Sequence, residues 1–249
     1  MLDTPGIEFN ALKDQISAIE RGSRGGASSS LSLDGGTIDQ TLGDGLPLGC
    51  LHEVAGTAAD GFAAMLAAQF TTQLNKPVLW CVDGRQVRHP FAPGLAGMGI
   101  ATERLTIACC KTPKDMLWAM EEGLKSGAAA LVVGEPSRPL DLTASRRLQL
   151  AAGMSGATGL ILGHRNLAPN ACTTRWQASA IPAPDKDAPW GGAWRLELTR
   201  SRNGSAGTWN VIWSPNRPTD RSADRPADRK DMEHEKTHHL RLVSQIGDR

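Results

Sequence analysis

Tyrosine is absent from the 249-residue chain, and aromatic residues make up only 4% of it. Seven tryptophans carry most of that share, and they read as core and strand residues rather than as a stacking platform. An excess of one charge is also lacking. Lys and Arg number 27 against 26 Asp and Glu, a net charge of +1, which excludes a global attraction to nucleic acid or to a membrane and makes any basic site local. There is no C-x-x-C pair. The five cysteines (Cys50, Cys81, Cys109, Cys110, Cys172) are odd in number and mostly sit in apolar runs, so they read as buried thiols of a reducing cytosol. No apolar run approaches the ~18 residues of a membrane span, and MLDTPGIEF lacks a basic n-region followed by an apolar stretch. The expectation is a soluble, cytoplasmic protein. No Ser/His/Asp, Cys/His or metal-ligand spacing stands out, and His234, His238 and His239 lie in a charged tail with no cysteine near them.

Among the segments present, Gly49 to Phe70 organises the rest. A strand-like run from Cys50 to Val54 breaks at Ala55-Gly56, crosses a small-residue loop to Gly61 and enters an Ala-rich helical segment. Gly56-Thr-Ala-Ala-Asp-Gly61 has the glycine spacing of a phosphate-binding loop, G-x-x-x-x-G-K-[ST], but Phe62 and Ala63 stand where Lys and Ser/Thr belong. Neither side chain can supply the point charge on the phosphates or the hydroxyl that holds magnesium. The backbone amides and the helix N-terminus after Gly61 still attract anions, which leaves weak nucleotide binding open.

Strand and helix signals then alternate. Pro77 to Val82, Leu105 to Cys110, Ala129 to Val133 and Gly159 to Leu162 read as strands. Between them, Phe91 to Gly99 reads as a short helix. Thr112-Pro113-Lys114-Asp115 is a capping pattern for a helix that buries Met116, Leu117, Met120 and Leu124 and stops at Gly127. Leu140 to Met154 opens at Asp141 and turns Leu142, Leu148 and Ala152 to a core, with Arg146 and Arg147 solvated. This alternation predicts an α/β fold with a mainly parallel sheet and helices on both faces. After Arg165 the period changes to two: Thr174 to Ile181, Trp194 to Thr199 and the run around Trp209, Val211 and Trp213 predict an antiparallel extension, its last two strands joined by a hairpin loop longer than two residues.

The two ends differ from this core. Residues 1–21 predict an amphipathic helix with Phe9, Leu12, Ile16 and Ile19 on one side. Two fates are open to it: packing back on its own domain, or reaching another molecule. Residues 22–40 read as a flexible Gly/Ser linker, 41–213 as the core, and 214–249 as a disordered charged tail that lacks the apolar residues to offset the entropy of ordering.

The order of these motifs resembles the ATPase core of RecA, through Leu46-Pro-Leu-Gly49, the loop from Gly56 to Gly61, Val78 to Asp83, Ser126 to Gly134 and Gly159 to Leu162. Within that superfamily the chain is identified as a member of the ImuA family, on GLPLGCLHEVAG, PVLWC, APGLAGMG, DMLWAMEEGLKSG, LDLTASRRLQLAA and TRWQ. The resemblance implies a RecA-like fold and a role in SOS-induced translesion synthesis and damage-induced mutagenesis, beside the polymerase-like partner ImuB, an error-prone replicative-type polymerase and RecA or its filament. It also locates what is missing. Gly134 stands where RecA-like ATPases end a strand in a metal-holding aspartate, and Glu135 one residue later is turned to the other face of its strand. The implied protein is therefore not an enzyme, with Gly56 and Gly61 as the remains of a phosphate site and no cofactor. The loops that contact single-stranded DNA in RecA are short here. Arg138, Arg146, Arg147, His164 and Arg165 are the candidate phosphate contacts, to be weighed against simple solvation, and weak DNA binding is the expectation. By analogy with the N-terminal helix of RecA, Phe9, Leu12, Ile16 and Ile19 are candidate partner contacts. Two other readings stay open, a DNA-dependent ATPase and a SulA-like cell-division inhibitor.

Overall fold

A computed structural model describes residues 29–84, 90–163, 169–182, 192–215 and 239–246. Strands β1 (Ser30–Leu31) and β2 (Leu46–Pro47) form a small antiparallel pair around helix α1 (Thr37–Leu42). The main sheet begins with β3 (Leu51–Ala55), followed by α2 (Ala59–Ala68) and a π turn (Gln69–Gln73). Then come β4 (Val78–Asp83), α3 (Ala92–Gly97), β5 (Leu105–Cys110), α4 (Pro113–Ser126), β6 (Leu131–Glu135), α5 (Leu142–Ser155) and β7 (Thr158–Leu162). Strands β8 (Thr174–Ala180), β9 (Gly192–Ser201), β10 (Gly207–Ser214) and β11 (His239–Ile246) complete it. The order across the nine-stranded sheet is β11-β10-β9-β8-β3-β7-β6-β4-β5. From β8 to β5 neighbours run parallel, and from β8 to β11 they run antiparallel. The chain is thus an α/β protein with a large, mostly parallel sheet flanked by helices and extended by antiparallel strands.

Local chemistry fixes the helix ends. The Thr112 hydroxyl accepts the Asp115 N–H at 3.1 Å, Pro113 occupies the first turn of α4, and Gly127 closes it at φ +64°. Asp141 caps α5 in the same way, accepting the Ala144 N–H at 2.7 Å. Helix α2 has no side-chain cap and is apolar nearly all round, which suits a helix enclosed in the core. It lies with α1 and α3 on one face of the sheet, against Val54, Trp80, Val133, Trp176 and Trp209. Helices α4 and α5 cover the other face, where Met120, Leu124 and Ala152 pack on Val132 and Ile161.

Five expectations need correction. The stretch 22–40 is not a linker throughout, because Leu31, Leu33 and Ile38 are buried and Asp39 accepts the Ser32 hydroxyl and the Leu33 and Gly35 N–H groups. The stretch 214–249 is not tail throughout either: β11 pairs with β10 from Thr208 to Ser214, and Leu240 is buried. Leu240 in the core and Leu242 packed against it suffice once the open edge of β10 supplies the hydrogen bonds. Leu142 faces outward instead of inward, since the core side of α5 is already filled by Leu148, Ala151 and Ala152. Trp118 is likewise exposed on α4 and Cys109 on the edge strand β5, whereas Trp80, Trp176, Trp194, Trp209 and Trp213 are buried as expected. The helix foreseen over 1–21 lies outside the described residues.

Candidate functional site

The loop after β3 has the frame of a phosphate loop and an apolar filling. Gly56 takes φ +110°, and a Cβ there would stand 2.2 Å from the Ala178 carbonyl oxygen, so only glycine fits. The Ala58 N–H donates to that same carbonyl at 3.0 Å, the Ala59 N–H donates to the Gly56 carbonyl at 3.3 Å, and the Thr57 hydroxyl accepts the Ala180 N–H at 3.2 Å. The loop is stitched to β8, and these two amides are spent inside the protein. At Gly61 the Trp194 indole takes the space beside the backbone, 2.8 Å from where a Cβ would sit. Phe62 and Ala63 are fully buried. The Phe62 ring lies 5.6 Å from Trp176, and Trp176 lies 6.1 Å from Trp209. The two positions that carry the lysine and hydroxyl of a phosphate loop are core positions here.

The end of β6 is packed just as closely. A Cβ on Gly134 would meet the Met120 sulfur at 2.1 Å, so α4 packs directly on the backbone where an aspartate would stand. Glu135 turns the other way, as strand alternation requires, and the face it reaches is the one that carries α2. There it accepts the Trp80 indole N–H at 2.6 Å. Burial raises its pKa above the ordinary carboxylate value; the Trp80 bond opposes this and the negative charge of Asp60, in the first turn of α2, adds to it. Two carboxylates and no loop lysine make this end of the sheet poorly suited to a triphosphate.

The candidate DNA contacts are not gathered into one surface. Arg138 borders a cleft of about 130 Å³ between the N-terminal ends of α4 and α5. Arg147 pairs with Glu121 of α4. Arg146 instead lines a groove of about 360 Å³ together with Arg200 and Arg202, from the end of β9 far downstream. His164 and Arg165, like Phe9, Leu12, Ile16 and Ile19, lie outside the described residues.

Two buried polar groupings went unnoticed in the sequence. Cys50 and His52 alternate onto one face of the chain, placing Sγ 3.4 Å from Nε2. Burial opposes both charges, yet each group supports the other: His52 draws the Cys50 thiol below its ordinary value, and Cys50 with the Pro47 carbonyl raises His52. His52 also lies 2.8 Å from the Pro47 oxygen and 2.7 Å from the Thr174 hydroxyl. Both members are enclosed, so the pair ties β2, β3 and β8 together rather than meeting a substrate. On the opposite face Arg175 donates to Glu53 at 2.6 Å, and Asn170 donates to the same carboxylate oxygen at 2.8 Å. Among the described residues no group of three metal-ligating side chains occurs, and no helix is long and apolar enough to cross a membrane.

Fold and loop together define an α/β domain in which the loop after β3, glycine-spaced at Gly56 and Gly61, is filled by core side chains. The chain is 33% identical, over 189 residues, to Protein ImuA of two Caulobacter vibrioides strains, NA1000 / CB15N and ATCC 19089 / CB 15, covering 67% of this chain and 76% of each relative. No family model matches. On that similarity the chain belongs to the ImuA family.

Proposed function

We propose that this chain is a non-catalytic, RecA-like accessory protein of SOS-induced translesion DNA synthesis, an adaptor that brings ImuB and an error-prone polymerase together with RecA or its filament. Family membership supports the mutagenic setting and the ImuB partnership. The observation that carries the non-catalytic part is the apolar filling of the loop by Phe62, Ala63 and Trp194. Phosphoryl transfer depends on charge neutralisation and positioning, and neither is provided. The position of Glu135 on the α2 face is what favours the rival reading of a DNA-dependent ATPase, and a turnover assay separates the two.

The adaptor reading is tested by pull-down of purified ImuB and RecA with the full chain and with two shortened forms. The apolar stripe of Phe9, Leu12, Ile16 and Ile19 is the proposed RecA contact, and residues 216–238 the polymerase-side one. Because β1 and β11 belong to the fold, the first cut removes 1–28 and the second excises 216–238. Loss of RecA with the first form alone supports the assignment; retention of RecA by both places the contact on the core and contradicts it. Single-stranded DNA should bind weakly and with a steep salt dependence, since Arg138, Arg146 and Arg147 are dispersed and Arg147 is already paired. Tight binding that survives high salt contradicts this.

A further inference from the structure

The outward side of α5 carries Leu142, Arg146, Leu150 and Met154 in successive turns. Leu142, Leu150 and Met154 are 53%, 60% and 84% exposed, although the same helix has a complete inward face in Leu148, Ala151 and Ala152. Beside this stripe runs the groove of about 360 Å³, where Arg146, Arg200 and Arg202 meet and, among the described residues, no carboxylate contributes to the wall. Arg200 holds the Asn170 carbonyl at 3.0 Å, which fixes one wall of the groove. Apolar side chains one helical turn apart beside three permanent cations suit an amphipathic helix with acidic flanks. A nucleic-acid backbone would satisfy the arginines and leave the leucines and the methionine in water.

The chain itself contains such a segment. Between residues 8 and 20, Phe9, Leu12, Ile16 and Ile19 recur at helical spacing, and Glu8, Asp14 and Glu20 face a single cation, Lys13. Two bonds connect Ser29, where the described chain begins, to the wall of the groove. The Ser29 carbonyl accepts the Leu48 N–H at 2.8 Å, and the Leu51 N–H donates to Gln149, which lines the groove, also at 2.8 Å. Residues 21–28 span up to about 27 Å when extended. A helix over 8–20 is about 20 Å long, close to the ~18 Å from Leu142 to Met154 along α5.

We propose that residues 8–20 dock in cis on the α5 stripe and its arginine groove, so that a partner reaches the same apolar side chains only by displacing the segment. The docking requires nothing about the partner's identity, and its failure is distinguishable from failure of the adaptor reading because the test contains no partner. Hydrogen–deuterium exchange is followed on the full chain alone, on an Arg146→Glu/Arg200→Glu/Arg202→Glu variant, and on that variant combined with Glu8→Arg/Asp14→Arg/Glu20→Arg. Amides of 8–20 should be slowed about tenfold or more in the wild type, lose that protection in the first variant and regain it in the second. Leu150→Glu, at an exposed position, should release the segment without touching the arginines, and the amides of α2 and β3 report that each variant is folded. Equal exchange of 8–20 in the wild type and both groove variants overturns the proposal. Protection that disappears on dilution also overturns it, because the occupant is then a second copy of the chain.

Discussion

At the scale of single residues, Phe62 decides what the loop can be. The absence of Lys and Ser/Thr is legible in the sequence, because a motif states its own omissions; the filling of the space is not, since Trp194 and Trp176 come from strands far downstream. Phe62→Lys should therefore fail to restore a phosphate site and should instead bury a charge against Trp176. The expected cost is about 3–5 kcal/mol in urea unfolding, with no phosphate release; a stable variant that turns over ATP contradicts this. Glu121 offers a pH test. The Lys125 ammonium at 2.8 Å holds its carboxyl below the ordinary value, with partial burial opposing and Arg147 adding to the effect. A lowered folded pKa gives stability that is present above the unfolded value of about 4.3 and is lost as pH falls through the folded one. Glu121→Gln should be less stable by roughly 0.5–1 kcal/mol at pH 7, a typical size for a partly exposed pair, and the gap should shrink as the pH falls below about 4. A gap that stays constant as the pH falls through the acid range contradicts the assignment.

At the scale of elements, legibility follows locality. Helices α4 and α5 announce their ends through Thr112, Asp141 and Gly127, because capping is settled within four residues. Strands β1 and β11 do not, because each depends on a distant partner: Leu31 opposite Leu46, and Leu240 opposite Trp213. A Gly/Ser-rich or charged neighbourhood outweighed the few apolar residues that matter. The outward turn of Leu142 has the same cause, since which side of α5 is already filled is a property of the packed protein. Ending the chain after residue 238 should expose the β10 edge and remove Leu240 from the core. Burial of a leucine contributes about 1.5–3 kcal/mol, so melting should fall by roughly 3–10 °C, with a tendency to aggregate through the open edge. An unchanged melting temperature would show that β11 adds nothing.

At the scale of the whole molecule, the α/β alternation and the later change to period two were readable as a parallel sheet with an antiparallel extension. The strand order was not, because it is set by crossovers. The scatter of Arg138, Arg146 and Arg147 and the grouping of Arg146 with Arg200 and Arg202 arise only when strands and helices are assembled. On the proposed reading, the loop after β3 is a packing unit: β8 and β9 supply the carbonyl and the indole that occupy it, and α4 sits on Gly134. The most direct test is steady-state phosphate release from magnesium-ATP by the purified full chain, with and without single-stranded DNA, alongside Glu135→Gln. A filled loop gives no turnover above background in any of these, with wild type and variant indistinguishable; DNA-stimulated turnover that Glu135→Gln abolishes would mean that Glu135 replaces the missing aspartate and that the protein is an ATPase after all.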